Sequence, residues 1–331
     1  MKILVVCPNL KFGGAEKNTV NLVNSLYEEG LDVSVALLNK EGELLEDINP
    51  DIEVISLDQS RSRYAFYRFR KVLKQSEPDV VLSMIRESSL MTSLSLCFLK
   101  KKPFFIIREA CHFEEKGSIY AKVVSFCYSK SDLFISNSQS SLKTFKEAKI
   151  IENVPSKVIY NPVLSDNFFD TLKFKPNHKW LDDDSITCFI TGGRLEKTKN
   201  IDQVIKAFYS LSLIHDDFRL VILGEGSERK ALQTLTDELQ LSDKIDFMGF
   251  VKYPATYVSS SDLFIMASDN EGFGNMLVEA MACGVKVLAR NSGGPVEILK
   301  NGSIGILKNL KDEADLAQEM EDALIRNQDV R

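Results

Sequence analysis

The chain has 331 residues, 44% of them apolar and 27% charged, with a formal net charge of −6. That length suits two domains of ordinary size, the composition is globular without low-complexity tracts, and the acidic balance argues against a general nucleic-acid partner. No apolar run approaches the ~18–20 residues of a membrane span. Met1 leads straight into apolar residues with no cleavage region, so a cytoplasmic location is expected. The six cysteines include no C-x-x-C pair and favour buried thiols; His112, His178 and His215 are too dispersed for a metal cluster.

Lys2-Ile3-Leu4-Val5-Val6 is a first strand. Gly13-Gly14 then opens a helix at about 17–29. Paired glycines between strand and helix let a ligand approach the backbone, and a plain tight turn uses them too. Strands at 32–38 and 52–57 follow, then a helix at about 64–75, a strand at 80–84, a helix at about 88–99 and a strand at 104–107. A helix near 119–128, a strand at 132–136, a helix near 139–148 and a strand at 158–160 complete the series. Such β-α alternation calls for a doubly wound parallel sheet. The polar stretch 164–184, with Pro176 and Asp182-Asp183-Asp184, reads as a linker. A second series has strands near 186–191, 219–223, 245–248, 262–267 and 286–289, and a helix near 312–325. The expected domains are therefore 1–163 and 185–331.

Chemistry-bearing residues gather at strand ends of the second series, where open α/β sheets bind ligands. Gly192-Gly193-Arg194 and Lys197-Thr198-Lys199 follow its first strand. Arg offers a planar fork and Lys a point charge to a diphosphate; the plain alternative is a solvated basic loop. Gly224-Glu225-Gly226 follows the second strand and Gly249-Phe250-Val251 the third, as binding loops or as turns. Glu271-Gly272-Phe273-Gly274-Asn275 leads into a helix that closes at Gly284, a residue suited to the left-handed position past a helix end. Gly272 and Gly274 clear side chains from the first turn, whose N–H groups and dipole favour an anion. Glu279 lies among Val278, Ala280 and Ala282, where a carboxylate is costly unless a polar group meets it. Ser292-Gly293-Gly294-Pro295, with Glu297 just beyond, is one more turn at a strand end.

Glu271 and Glu279, set in E-G-F-G-x-x-x-x-E-A-M-A-C-G, resemble the signature of the family-4 retaining glycosyltransferases. The resemblance covers nearly the whole chain and is most specific from Gly192 to Glu297. It implies the α/β fold called GT-B, two Rossmann-like doubly wound parallel-sheet domains facing a cleft. It also implies a nucleotide-diphosphate sugar donor, UDP-linked on family frequency. A hexose or N-acetylhexosamine would pass to a lipid-linked or saccharide acceptor in surface polysaccharide synthesis. By the same resemblance Glu279 binds ribose hydroxyls and Glu271 the donor sugar. Gly272, Phe273, Gly274 and Asn275 border the donor, and Arg194 and Lys199 balance charge on the leaving diphosphate. Gly193, Gly224, Gly226, Phe250 and Val251 line the nucleotide, while Gly13 and Gly14 lie on the acceptor side. No cofactor and no metal are implied.

Two departures from the family stand out. Many members carry a histidine after the strand that here ends at Ile107; this chain has Arg108-Glu109-Ala110-Cys111-His112, with His112 displaced and Arg108 or Glu109 in its place. The family's closing helix, which crosses back to the first domain, looks absent or shortened before Asp329-Val330-Arg331. From Arg61 to Lys102 ten Lys and Arg face three acids, Glu77, Asp79 and Glu87. The predicted helix within Arg61 to Lys74 mixes basic and aromatic residues. It suits either peripheral contact with an anionic inner-membrane leaflet or a core helix with a solvated face. Two rivals to a transferase are a nucleotide-sugar epimerase, against which the paired glutamates speak, and a non-catalytic donor-binding subunit.

Overall fold

A computed structural model describes residues 1–11, 13–58, 62–115, 117–165 and 168–325, without side chains at 62–64. Arg61 and the last six positions thus lie outside the described residues, as does the ground on which a closing helix was expected to be missing. The chain forms two compact units, Met1–Pro162 and Val163–Arg331.

Seven strands build the first unit: β1 Lys2–Cys7, β2 Asp32–Leu37, β3 Glu53–Ser56, β4 Val80–Met84, β5 Phe104–Glu109, β6 Leu133–Ser136 and β7 Ser156–Val158. They pair in the order β3-β2-β1-β4-β5-β6-β7, and every pairing is parallel. Side chains alternate across the strands, so Ile3, Val5 and Cys7 face the helix Gly14–Glu28 through Val20 and Val23. Leu4 and Val6 face the other layer, where Phe69, Met91, Val124 and Phe145 close the core. The last strand begins two residues earlier than its sequence suggests, because pairing with β6 starts at Ser156.

In the second unit the strands are β8 Thr187–Gly192, β9 Phe218–Leu223, β10 Ile245–Gly249, β11 Leu263–Met266, β12 Lys286–Arg290 and β13 Ile306–Lys308. Their order is β10-β9-β8-β11-β12-β13, again parallel throughout. The edge strand β13 has no counterpart in the sequence expectation; three residues after Gly305 are too few for a periodic signal. One face packs on the helices Ile201–Ser212 and Glu313–Ile325, the other on Asn275–Ala282.

Residues 164–184, read from sequence as a linker, carry part of this second core. Trp180 and Leu181 are buried against Cys188, Val221 and Phe264. Buried His178 holds Asp246 at 3.1 Å, and the Arg219 guanidinium lies 5.7 Å from the Trp180 ring. Three acidic residues and a proline hide this anchor in the sequence. Trp180 is the chain's one tryptophan, so its fluorescence in the native protein reports on the second unit. Trp180→Ala is expected to destabilise that unit by about 3–5 kcal/mol, the cost of emptying a large buried aromatic site. Urea unfolding followed by circular dichroism checks this; a change below about 1 kcal/mol contradicts the packing role.

Candidate active site

Strand order in the second sheet reverses between β8 and β11, so the loops leaving these neighbours run in opposite directions. A crevice at that reversal is where open α/β sheets take ligands. Here the two loops are pinned to each other. Lys199 Nζ lies 2.5 Å from Glu271 Oε2, with both side chains largely shielded from solvent. Asn200, left-handed at φ +51, donates from Nδ2 to the Ala267 carbonyl at 3.1 Å. The Asp269 N–H donates to the Thr198 carbonyl, also at 3.1 Å. From β12, Arg290 donates through Nε to Ala267 O at 2.8 Å and through Nη2 to Gln203 at 2.5 Å, and it also reaches the Leu310 carbonyl.

The helix Asn275–Ala282 starts at Gly274, φ +112, and no side chain caps it. It ends as expected, with Gly284 at φ +75 and its N–H on the Met281 carbonyl. Glu279 is 4% exposed. The Cys283 thiol is pushed up to about 11 by burial and by the nearby Glu279 charge. The loop Glu271 to Gly274 is held from behind, where the Gly294 N–H donates to the Glu271 carbonyl at 2.8 Å. A Cβ on Gly294 would meet the Phe273 carbonyl oxygen at 2.2 Å, so main chain lies on main chain.

Gly224 and Gly226 act in the same way, with Gly193 and Leu195 as their main-chain partners. The Gly193 N–H bonds to Leu223 O at 3.0 Å and the Leu195 N–H to Glu225 O at 2.8 Å. Added Cβ atoms would lie 2.0 Å from Gly193 O at Gly224 and 2.2 Å from Leu195 O at Gly226. The turns after β8 and β9 are therefore one interlocked main-chain surface. Phe250 beyond β10 is exposed and Val251 half-buried. Arg194 is exposed too, its guanidinium 3.5 Å from Glu196.

In the first unit Gly13 precedes the helix Gly14–Glu28 in extended conformation, and Lys17 N–H bonds back to its carbonyl at 2.9 Å. Arg108 and Glu109 end β5, both buried. Arg108 bonds Asn161, and burial lowers its guanidinium to about 10, against the favourable Glu109 charge. Glu109, 2% exposed, accepts from the Tyr128 hydroxyl and lies 3.9 Å from Arg86, which stacks over Phe113. Burial raises the Glu109 carboxyl; Arg86, the Tyr128 bond and Arg108 oppose the rise. Its carboxylate is thus engaged inside the unit. His112 pairs through Nε2 with Ser140 Oγ at 3.0 Å.

Nothing in the sequence reading assigns a part to Asn200, Asp269, Arg290, Arg86 or Tyr128. The one signal for Arg290 is a charge closing the apolar run 287–289. Among the described residues, no group of three or more His, Cys, Asp or Glu could hold a metal ion.

Comparison with known proteins gives two family matches: residues 171–331 to glycosyl transferases group 1 and residues 12–166 to glycosyltransferase family 4. A Campylobacter jejuni protein is 27% identical, covering 97% of this chain and 88% of its own. It is described as a GalNAc-alpha-(1->4)-GalNAc-alpha-(1->3)-diNAcBac-PP-undecaprenol alpha-1,4-N-acetyl-D-galactosaminyltransferase. A second from the same organism, N-acetylgalactosamine-N,N'-diacetylbacillosaminyl-diphospho-undecaprenol 4-alpha-N-acetylgalactosaminyltransferase, is 30% identical over 59% of this chain and 52% of its own length. Anabaena HepE in complex with UDP and glucose superposes with a TM-score of 0.79 at 21% identity, covering 99% of this chain and 91% of that one.

Gly294→Ala must push the Phe273 main chain away, and it is expected to cost about 1–3 kcal/mol, the range for overpacking. Thermal unfolding checks this, and a neutral result contradicts the close approach. Glu109 has a pH signature. Its native carboxyl binds a proton more tightly than the unfolded chain's, so its contribution to stability is full below the ordinary glutamate range. That contribution is lost as pH rises through the raised native value. Stability of the native protein relative to Glu109→Gln should therefore fall over that window in denaturant titrations at stepped pH; a rise would contradict burial as the dominant influence.

Proposed function

The chain belongs to the family-4 type glycosyltransferases of GT-B fold, and on that premise we propose that it is a retaining enzyme using a UDP-sugar donor. The sugar, a hexose or N-acetylhexosamine, passes to a lipid-linked or saccharide acceptor in surface polysaccharide synthesis. Support for the acceptor class comes from the undecaprenol-linked diphosphates named for the two Campylobacter relatives. Support for uridine comes from the UDP bound in the Anabaena neighbour.

The observation that carries the reading is the Lys199–Glu271 pair at the reversal between β8 and β11. An ammonium held against a carboxylate there can exchange it for a donor phosphate, which frees Glu271 for sugar hydroxyls. Glu279, inward on the helix that follows, accepts from the ribose diol. Arg194, exposed on the same loop as Lys199, adds a bidentate phosphate contact. The C1–O bond to the diphosphate breaks while the acceptor oxygen bonds C1 on the same face. The acceptor proton passes to a phosphate oxygen of the leaving group, so no protein nucleophile is required. Preorganised cations stabilise the charge that gathers on the diphosphate. Arg108 and Glu109 are buried in the first unit and engaged by the Asn161, Tyr128 and Arg86 side chains, so neither is assigned the proton.

Ligands that bind the native state raise its stability by mass action. UDP and UDP-sugars are expected to raise the thermal midpoint more than GDP, ADP or dTDP do, and Glu279→Ala should lose most of that shift. Absence of a shift with every nucleotide would sink the donor reading. With a competent donor and acceptor in hand, Lys199→Ala should lower kcat/KM by about 10²–10³-fold, the scale of one lost electrostatic contact to a leaving group.

A further inference from the structure

Arg229 opens the helix Arg229–Glu238, the end at which the backbone dipole disfavours a cation. The first turn holds no acid, and no side chain caps it. The guanidinium is half-buried and turns toward the sheet edge instead. Its Nη2 donates to the Phe247 carbonyl at 3.1 Å, and its Nη1 is paired with the Glu225 carboxylate.

That carbonyl belongs to the edge strand β10 at the point where its register breaks. Phe247 pairs with Ile222 and Gly249 with Leu223, so Met248 is an extra residue in the ladder. Such a bulge bends its strand and re-aims the side chains beyond it. Gly249 follows at φ +70, and its carbonyl accepts from the Gly224 N–H at 2.6 Å. A Cβ on Gly249 would lie 2.8 Å from Glu225 Oε1 and 3.1 Å from Arg229 Nη1. The ion pair therefore rests on the Gly249 main chain, where any other residue would push it away. Guanidinium, carboxylate and glycine support the turn together, and Phe250 is the next residue, its side chain standing 42% exposed.

The strand order gives this support a use. Strands spaced ~4.8 Å apart put the end of β10 about 10 Å from that of β8, along the carboxyl edge that carries the Lys199–Glu271 pair. A diphosphate held at that pair leaves its nucleoside to extend along the same edge. An aromatic ring there offers a base a stacking surface.

We propose that Arg229 is a positioning residue for the donor nucleoside, holding the bulged turn Met248–Gly249 so that the Phe250 ring meets the base. The assignment rests on the donor reading of the second unit and adds to it the group that sets the base platform. The guanidinium is spent on Phe247 and Glu225, which suits a support rather than a phosphate ligand.

Dissociation constants for UDP and for inorganic diphosphate, which has no base, are measured by titration calorimetry on the full chain. The native chain is expected to bind UDP about tenfold or more tighter than diphosphate. Arg229→Met should raise the UDP Kd about tenfold, the scale of one lost base–ring stack, and leave the diphosphate Kd within about twofold. Phe250→Ala should do the same. Because Arg229 acts through the ring, the double variant should bind UDP no more weakly than Phe250→Ala alone, whereas independent sites would multiply their effects. Glu225→Lys changes an exposed side chain and repels the guanidinium. It should match Arg229→Met, and it takes that variant's place in the cycle if Arg229→Met does not fold. A role confined to stability would lower the thermal midpoint and leave the ratio of the two constants unchanged. An unchanged ratio, an equal loss for diphosphate, or multiplied effects in the double variant overturns the assignment and leaves the donor reading intact. A native chain that binds neither ligand overturns both.

Discussion

Parallel pairing obliges every strand to hand its chain onward at the same edge of the sheet. In both units that edge is therefore crowded with turns, while the opposite edge receives helix ends. The second unit exploits the crowding at the one place where strand order turns back, between β8 and β11. Two loops meet there, and Lys199–Glu271, Asn200–Ala267 and Thr198–Asp269 tie them together. Arg290 anchors the arrangement from the next strand. An ion pair so shielded is costly to assemble unless its geometry is good. Its place at the reversal rather than in the core is what the proposed donor site rests on.

The first unit answers the same constraint with a buried polar cluster. Arg86 leaves the end of β4, Glu109 ends β5, and Tyr128 closes over both from the helix behind. Removing any one member leaves a buried partner unsatisfied, which is why such clusters hold local geometry firmly. The unit thereby presents a rigid carboxyl edge without spending exposed side chains on it.

Much of this was legible in the sequence, because the strands are nearly continuous apolar runs and such runs belong to parallel sheets covered on both faces. Glu279 stood out for a related reason: a charge inside an apolar periodic segment contradicts its surroundings, whereas Gly284 stood out as the residue that closes the helix. The residues that escaped notice contradict nothing locally. Asn200 closes the G-R-L-x-x-x-K-N stretch without a role of its own there, Arg290 reads as a strand end, Tyr128 as one aromatic among several, and Trp180 as a stray in a polar stretch. Their importance arises from partners 67 residues away for Asn200 and 19 away for Tyr128, and no local window holds both ends.

The interlocked turns after β8 and β9 bear on how such a protein can diversify. Where Gly224 and Gly226 bring main chain against main chain, no side chain exists through which shape could be retuned. Inherited variation at those positions is closed off by sterics before any question of chemistry arises. Variation in shape there must enter through side chains that stand clear of those main-chain contacts, such as the exposed Arg194 and Phe250. The scaffold thus separates positions fixed by main-chain contact from a small set of adjustable ones.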